Sequence, residues 1–196
     1  TASRVAVQVL KNALQRRLPE KTALQMGIEA ANRRIFDMQR RDSSLSGMGT
    51  TLTLLWESDD SLLIGHVGDS RAYLLRDGKL AQQTQDHSVV AELVRNKLIT
   101  PEAAKTHPYR NVITRALGTD PSVLADVTSV EKKPGDKWLV CSDGLYGMVD
   151  DERIEAALQT LSGEEAAESL LAQALQNGGA DNISLIVGVV AEVTAP

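Results

Sequence analysis

Apolar residues recur at helical spacing over the first forty positions, then give way to short strand-like runs, and that switch sets the fold class. Val5, Val9, Ala13 and Leu14 share one face, so roughly 3–17 is expected to form an amphipathic helix. Leu24, Ile28, Ala31 and Ile35 repeat the pattern over about 20–40, with the paired arginines outside. SLSGMGT at 44–50 is a glycine-rich break. TTLTLLWES, SLLIGHVG, SRAYLLRDG and GKLAQQT then read as four successive strands. Asp77 and Gly78 both tolerate positive φ, which suits a two-residue hairpin turn between the last two.

From Asp86 to Tyr109 the character changes. HSVVAELVRNKLITPEAAKTHPYR holds a short amphipathic helix, a Thr100-Pro101 helix start and a polar loop, so about 88–110 reads as an insertion between strands. Strands return near 123–131 and 137–142 across the turn KKPGD. Helices follow near 150–160 and 163–176, the second opening on the capping-box-like SGEEA, and NISLIVGVVAEV closes the chain as a strand. Helices, a block of hairpin-linked strands, more helices and a last strand argue for α+β, with antiparallel sheets covered by helices. The whole of 1–196 reads as one domain without repeats or low-complexity stretches.

Composition narrows the function. With 42% hydrophobic and 24% charged residues the chain is of the soluble globular kind, and no segment approaches a membrane span. A net charge of −5 gives no general attraction to nucleic acid. One cysteine excludes an internal disulfide and suits a reducing, cytoplasmic setting. The chain opens TASRVAVQVL, without an initiator methionine and directly in helical periodicity, which reads as a cut rather than a natural start.

Phosphate-loop, zinc-helix and nucleophile-elbow motifs are absent. Cys141 is followed by SDGLYGMVD rather than an arginine-closed phosphate loop, so it reads as a small core residue. His66 falls in a strand pattern and reads as a packing or edge residue, His87 is a candidate to contact an acidic site, and His107 lies in the mobile-looking insertion. The acids are more informative. VCSDGLYGMV at 140–149 and GGADNISLIV at 178–187 each set an aspartate, Asp143 and Asp181, beside an apolar run and a glycine. Hard divalent cations need carboxylate oxygens on rigid backbone, and an acid at a strand end supplies one. HVGDSRAY adds Asp69 as a third candidate. Taken singly these are a capped turn, an Asx-turn and a hairpin turn; together they fit a carboxylate cluster in a metal-centred hydrolase.

GMGTTLTLL, GHVGDSRAYLLRDGKL, TQDHS, NVITRALG, LVCSDGLYGMV and GGADNISLIV resemble, in order and spacing, the metal-dependent PPM (type 2C) serine/threonine protein phosphatases, bacterial branch. The resemblance implies a two-layer antiparallel β-sandwich flanked by helix pairs, with two Mn²⁺ or Mg²⁺ ions at one end and a third, weaker one. It makes Asp143 and Asp181 ligands of one core metal, and Asp69, with Asp143, ligands of the third. Segment 88–110 corresponds to the family's flap, and Arg71 and Arg115 match family positions read as structural ion-pair residues. It further implies hydrolysis of phosphoserine and phosphothreonine by metal-activated water, phosphorylated proteins as substrates, and a cognate serine/threonine kinase as partner.

The family's opening strands, with a phosphate-binding arginine and an Asp-Gly-x-Gly aspartate bridging both metals, have no match in these 196 residues. The domain is therefore expected to be N-terminally incomplete, and the polypeptide alone weakly active or inactive. The alternative is a non-catalytic PPM-like regulatory binding module, against which three retained acids argue. A phosphodiesterase or nuclease sits poorly with the acidic balance.

Overall fold

The computed structural model describes residues 1–15 and 19–191, and the chain forms two compact units: 1–69 with 86–130, and 70–85 with everything from 131 onward. In chain order the elements are α1 (Ala2–Leu14), α2 (Glu20–Arg41), β1 (Leu52–Glu57), β2 (Ser61–Val67), β3 (Arg71–Arg76), β4 (Lys79–Gln82), α3 (Val89–Arg95), α4 (Pro101–Lys105), β5 (Asp126–Glu131), β6 (Lys137–Cys141), α5 (Asp143–Tyr146), α6 (Asp151–Thr160), α7 (Gly163–Gln176) and β7 (Leu185–Val189). Positions 16–17 of the expected first helix and 192–193 of the expected last strand lie outside the described residues.

In the first unit β1, β2 and β5 form a sheet in that order, with Leu52 opposite Val67 and Glu57 opposite Leu62 in the antiparallel β1–β2 pair. Helix α1 buries Ala2, Ala6, Leu10 and Ala13 against α2. Gly27 permits the approach, since a Cβ there would lie 3.1 Å from both Ala13 Cβ and Leu10 Cδ2. The buried face of α2 includes Leu24, Ile28, Ala31 and Ile35, the four residues its periodicity marked. Asn32, also on that face and buried, accepts the Gly118 N–H at 2.7 Å and donates to the Asp120 carbonyl at 3.0 Å. Segment 88–110 contains α3 and α4, capped by Ser88 and Thr100, whose side chains accept the Ala91 and Ala103 amides.

The second unit is a sheet in the order β4-β3-β6-β7, antiparallel throughout, with α6 and α7 on the face that carries its core. Arg76 and Lys79 flank the expected hairpin turn, whose Asp77 (φ 51°) and Gly78 (φ 72°) both take the left-handed conformation of a type I′ turn. Tyr73 and Leu75 of β3 and Leu139 and Cys141 of β6 meet Ile154, Leu158, Leu170 and Ala174 of the helices. Each fully buried leucine here, such as Leu139, Leu158 or Leu170, contributes about 2 kcal/mol. Cys141 is a core residue, as its flanks indicated. Helix α7 opens on a complete capping box, Ser162 accepting from the Glu165 amide while Glu165 accepts from the Ser162 amide.

The four successive strands differ from the reading in one respect. β2 and β3 do not pair: the Asp69–Ser70 break carries the chain from one sheet to the other, so it is no hairpin turn. Among the described residues no helix is long and apolar enough to cross a membrane.

Candidate metal centre

β6 ends at Cys141, opposite Leu185 of β7, and the pairing continues one step past both strands. Ser142 donates its N–H to the Ser184 carbonyl at 2.9 Å, and its Oγ accepts the Ser184 amide at 3.1 Å. That hydroxyl in turn donates to the Asn182 carbonyl at 3.2 Å. One serine therefore binds the loop holding Asp143 to the loop holding Asp181. Gly144 closes the contact, because its α-carbon faces the Asn182 carbonyl with no room for a side chain: a Cβ there would overlap the carbonyl oxygen and lie 2.9 Å from its carbon.

Within this pinned pair each aspartate uses one oxygen locally. Asp143 Oδ1 accepts the Gly144 amide at 3.0 Å, and Asp181 Oδ1 accepts the Asn182 amide at 2.6 Å. These bonds fix both carboxylates against their own backbone through Oδ1, and among the described residues no hydrogen bond reaches Oδ2 of either, Asp143 being half-buried and Asp181 exposed. Hard oxygen donors at the ends of two adjacent strands fit part of the ligand set of Mn²⁺ or Mg²⁺, which takes six. Among the described residues no three His, Cys, Asp or Glu side chains come together as a metal-holding group. Asp69, the third candidate, is half-buried at the end of the first unit, directly after Gly68.

The two arginines are engaged with protein. The Arg71 guanidinium lies 3.7 Å above the centre of the Tyr146 ring and donates to the Tyr73 hydroxyl at 3.0 Å, which donates to Asp151 at 3.2 Å. Burial pushes the Tyr73 phenol well above its ordinary value, against the opposing charge of Arg71, so it stays a protonated donor. Arg115 pairs with Asp126 at 3.4 Å. Of the histidines, His66 is buried on β2 with its Nδ1 3.0 Å from Thr53 Oγ1, and His107 accepts the Tyr109 amide on the surface. His87 is buried and meets an acid, Asp126, at 3.1 Å. Ser142 joins the site unexpectedly, although a small hydroxyl residue between a strand end and an acid is itself a signal. Asp126 carried none, standing 39 positions from its histidine.

Solved structures share this architecture. The crystal structure of serine/threonine phosphatase PstP from Mycobacterium tuberculosis superposes with a TM-score of 0.90 at 38% identity, over 97% of this chain and 82% of that one. The PstP catalytic domain in complex with two manganese ions gives 0.87, over 97% and 81%. These superpositions define the class: an α+β phosphatase fold. The protein phosphatase 2C family model matches residues 1–178. PstP of Mycobacterium tuberculosis is 43% identical over 169 residues, 86% of this chain, which spans only 33% of the length of PstP. Serine/threonine phosphatase stp of Listeria monocytogenes is 38% identical over 195 residues, 95% of this chain and 77% of its own. The chain belongs to the protein phosphatase 2C family.

Proposed function

We propose that these 196 residues carry part of one catalytic domain of a metal-dependent serine/threonine protein phosphatase. Asp143 and Asp181 are ligands to one divalent ion, and Asp69 is a ligand to a third and weaker one. The observation that carries this reading is the pinning of the two acid-bearing segments by Ser142 and Gly144, with only Oδ1 of each acid bound to its neighbouring backbone amide among the described residues. The PstP catalytic domain in complex with two manganese ions supports a divalent-metal reading of this chain. All-oxygen donors suit Mn²⁺ and Mg²⁺ alike.

Divalent ions, when bound, supply positive charge against phosphoryl oxygens and a water of lowered pKa. Asp143 and Asp181 act as ligands and not as acid or base, because their lone pairs are committed to the ion. Ser142 and Gly144 keep the two carboxylates at one separation before any ion arrives, which lowers the ordering cost of binding. The substrates are phosphoserine and phosphothreonine proteins, the opposing partner is a serine/threonine kinase, and the setting is cytoplasmic. The 88–110 segment bears on substrate choice.

The test is Mn²⁺-dependent hydrolysis of a phosphothreonine peptide. It compares this polypeptide with one extended at its N-terminus by a segment carrying the Asp-Gly-x-Gly motif that the family resemblance implies. The extended protein is expected to turn over and to stop with EDTA, while the shorter one is weak or inactive. Asp143→Asn is expected to cost at least about 100-fold in rate. A folded extended protein that releases no phosphate would overturn the reading.

A further inference from the structure

We infer that His87 is a positioning residue, joining the Gly68–Asp69 turn to both ends of the 88–114 segment and to Asp126 of β5 through two ring nitrogens and two backbone groups. Its N–H donates to the Gly68 carbonyl at 2.8 Å, and the Gly68 N–H donates back to His87 Nδ1 at 3.1 Å. One residue thus holds Gly68 at both of its polar groups, immediately before Asp69. Gly68 has φ +112°, and a Cβ there would run into the Thr51 side chain, so only glycine fits this turn. On its other side the His87 carbonyl accepts the Thr114 amide at 2.7 Å, and Val89 N–H donates to the Val112 carbonyl at 2.9 Å. These bonds close the base of the segment. Thr114 Oγ1 adds a bond to Glu92 of α3 at 2.9 Å.

The chemistry requires histidine. A backbone amide can only donate, so the Gly68 bond leaves Nδ1 as the acceptor and puts the ring proton on Nε2. Nε2 then donates to Asp126 Oδ2 at 3.1 Å, on β5. Arg115 Nη1 lies 3.2 Å from that nitrogen but cannot donate to it once it bears the proton; its charge falls on Asp126 Oδ1 at 3.4 Å. The ring is 3% exposed and packs against His66, the two rings tilted by 36° with centroids 4.9 Å apart. Burial, with Arg115 and Arg95 nearby, pushes His87 below its ordinary value against the pull of Asp126, which keeps the neutral tautomer in place. Asparagine copies the Nδ1 acceptor without reaching Asp126; glutamine copies the Nε2 donor without the acceptor.

What this linkage would do for catalysis rests on the proposed roles of Asp69 and the 88–110 segment. The linkage itself does not, and its test needs no turnover. Amide hydrogen exchange is followed by NMR on the 196-residue chain, with His87→Gln and His87→Asn. In His87→Gln, exchange is expected to rise about tenfold or more at Gly68, Val89 and Thr114 while Leu139 and Val187 hold their wild-type rates. His87→Asn is expected to restore protection at Gly68. Long-range ¹H–¹⁵N correlation is expected to show the wild-type ring protonated at Nε2. Unchanged exchange in both variants, a uniform rise across both units, or a ring protonated at Nδ1 would overturn the inference. Should His87→Gln not fold, Gly68 exchange in His87→Asn decides: wild-type protection with a faster Thr114 supports the linkage, and equal rises at all five amides refute it.

Discussion

Gly144→Ala is expected to cost about 3 kcal/mol of stability and to abolish tight metal binding, although alanine is the better helix former in α5. The added methyl would overlap the Asn182 carbonyl oxygen and sit 3.4 Å from Ile183 Cα, and every one of these neighbours is backbone. A side chain could rotate away. The 182–183 backbone cannot move without breaking the Ser142 bonds to the Asn182 carbonyl and to Ser184. Asp143 and Asp181 would then separate. The helix-propensity gain of about 1 kcal/mol is too small to offset this. Gly188→Ala is the control, since a Cβ there meets nothing within 4 Å. Thermal unfolding and Mn²⁺ titration of both variants check the expectation, with Gly188→Ala within about 0.5 kcal/mol of wild type.

Arg76→Ala is expected to destabilise the second unit by about 3 kcal/mol, lowering Tm by roughly 6–12 °C. Arg76 holds Asp136 with two parallel bonds, Nε to Oδ1 at 2.8 Å and Nη2 to Oδ2 at 2.6 Å, and also donates to the Glu131 carbonyl at 2.7 Å. Asp136 is 2% exposed, so removing the arginine leaves a buried carboxylate with, among the described residues, the Lys133 amide as its remaining hydrogen-bond donor. Burial by itself would raise the Asp136 carboxyl; the Arg76 and Lys133 bonds outweigh it and hold it below its ordinary value of 3.8. The contribution is therefore complete above that pH. It declines as the pH falls through the lower folded value, because the unfolded chain takes up its proton first. Denaturant melts at neutral pH and in this acid range are expected to show wild type and Arg76→Ala converging as the pH drops. Replacing both partners by apolar residues is expected to recover much of the loss.

What the chain disclosed in advance was local. The α2 face, the Asp77-Gly78 turn and the Ser162–Glu165 box each depend on residues within one or two turns of one another, and their chemistry is written in the run itself. The α+β class followed from element order, and the family from six motifs in sequence. What stayed hidden depends on partners distant along the chain. Nothing in SLLIGHVGDSRAYLL tells a hairpin from a change of sheet, because both need a short polar break. His87 gave no sign of Asp126, nor Ser142 of Asn182, 40 positions on, since a hydrogen bond between loops leaves no periodicity. The short helix α5 was hidden for another reason: its four residues are too few to carry a pattern.

The most direct test of the central claim, that Asp143 and Asp181 hold one ion between them, is Mn²⁺ binding to this chain, read by EPR of the free ion. Wild type is compared with Asp143→Asn, Asp181→Asn and the double variant. A shared site is expected to make either single substitution as damaging as both together. Affinity unchanged by either substitution, or losses that add as for two independent sites, would contradict it.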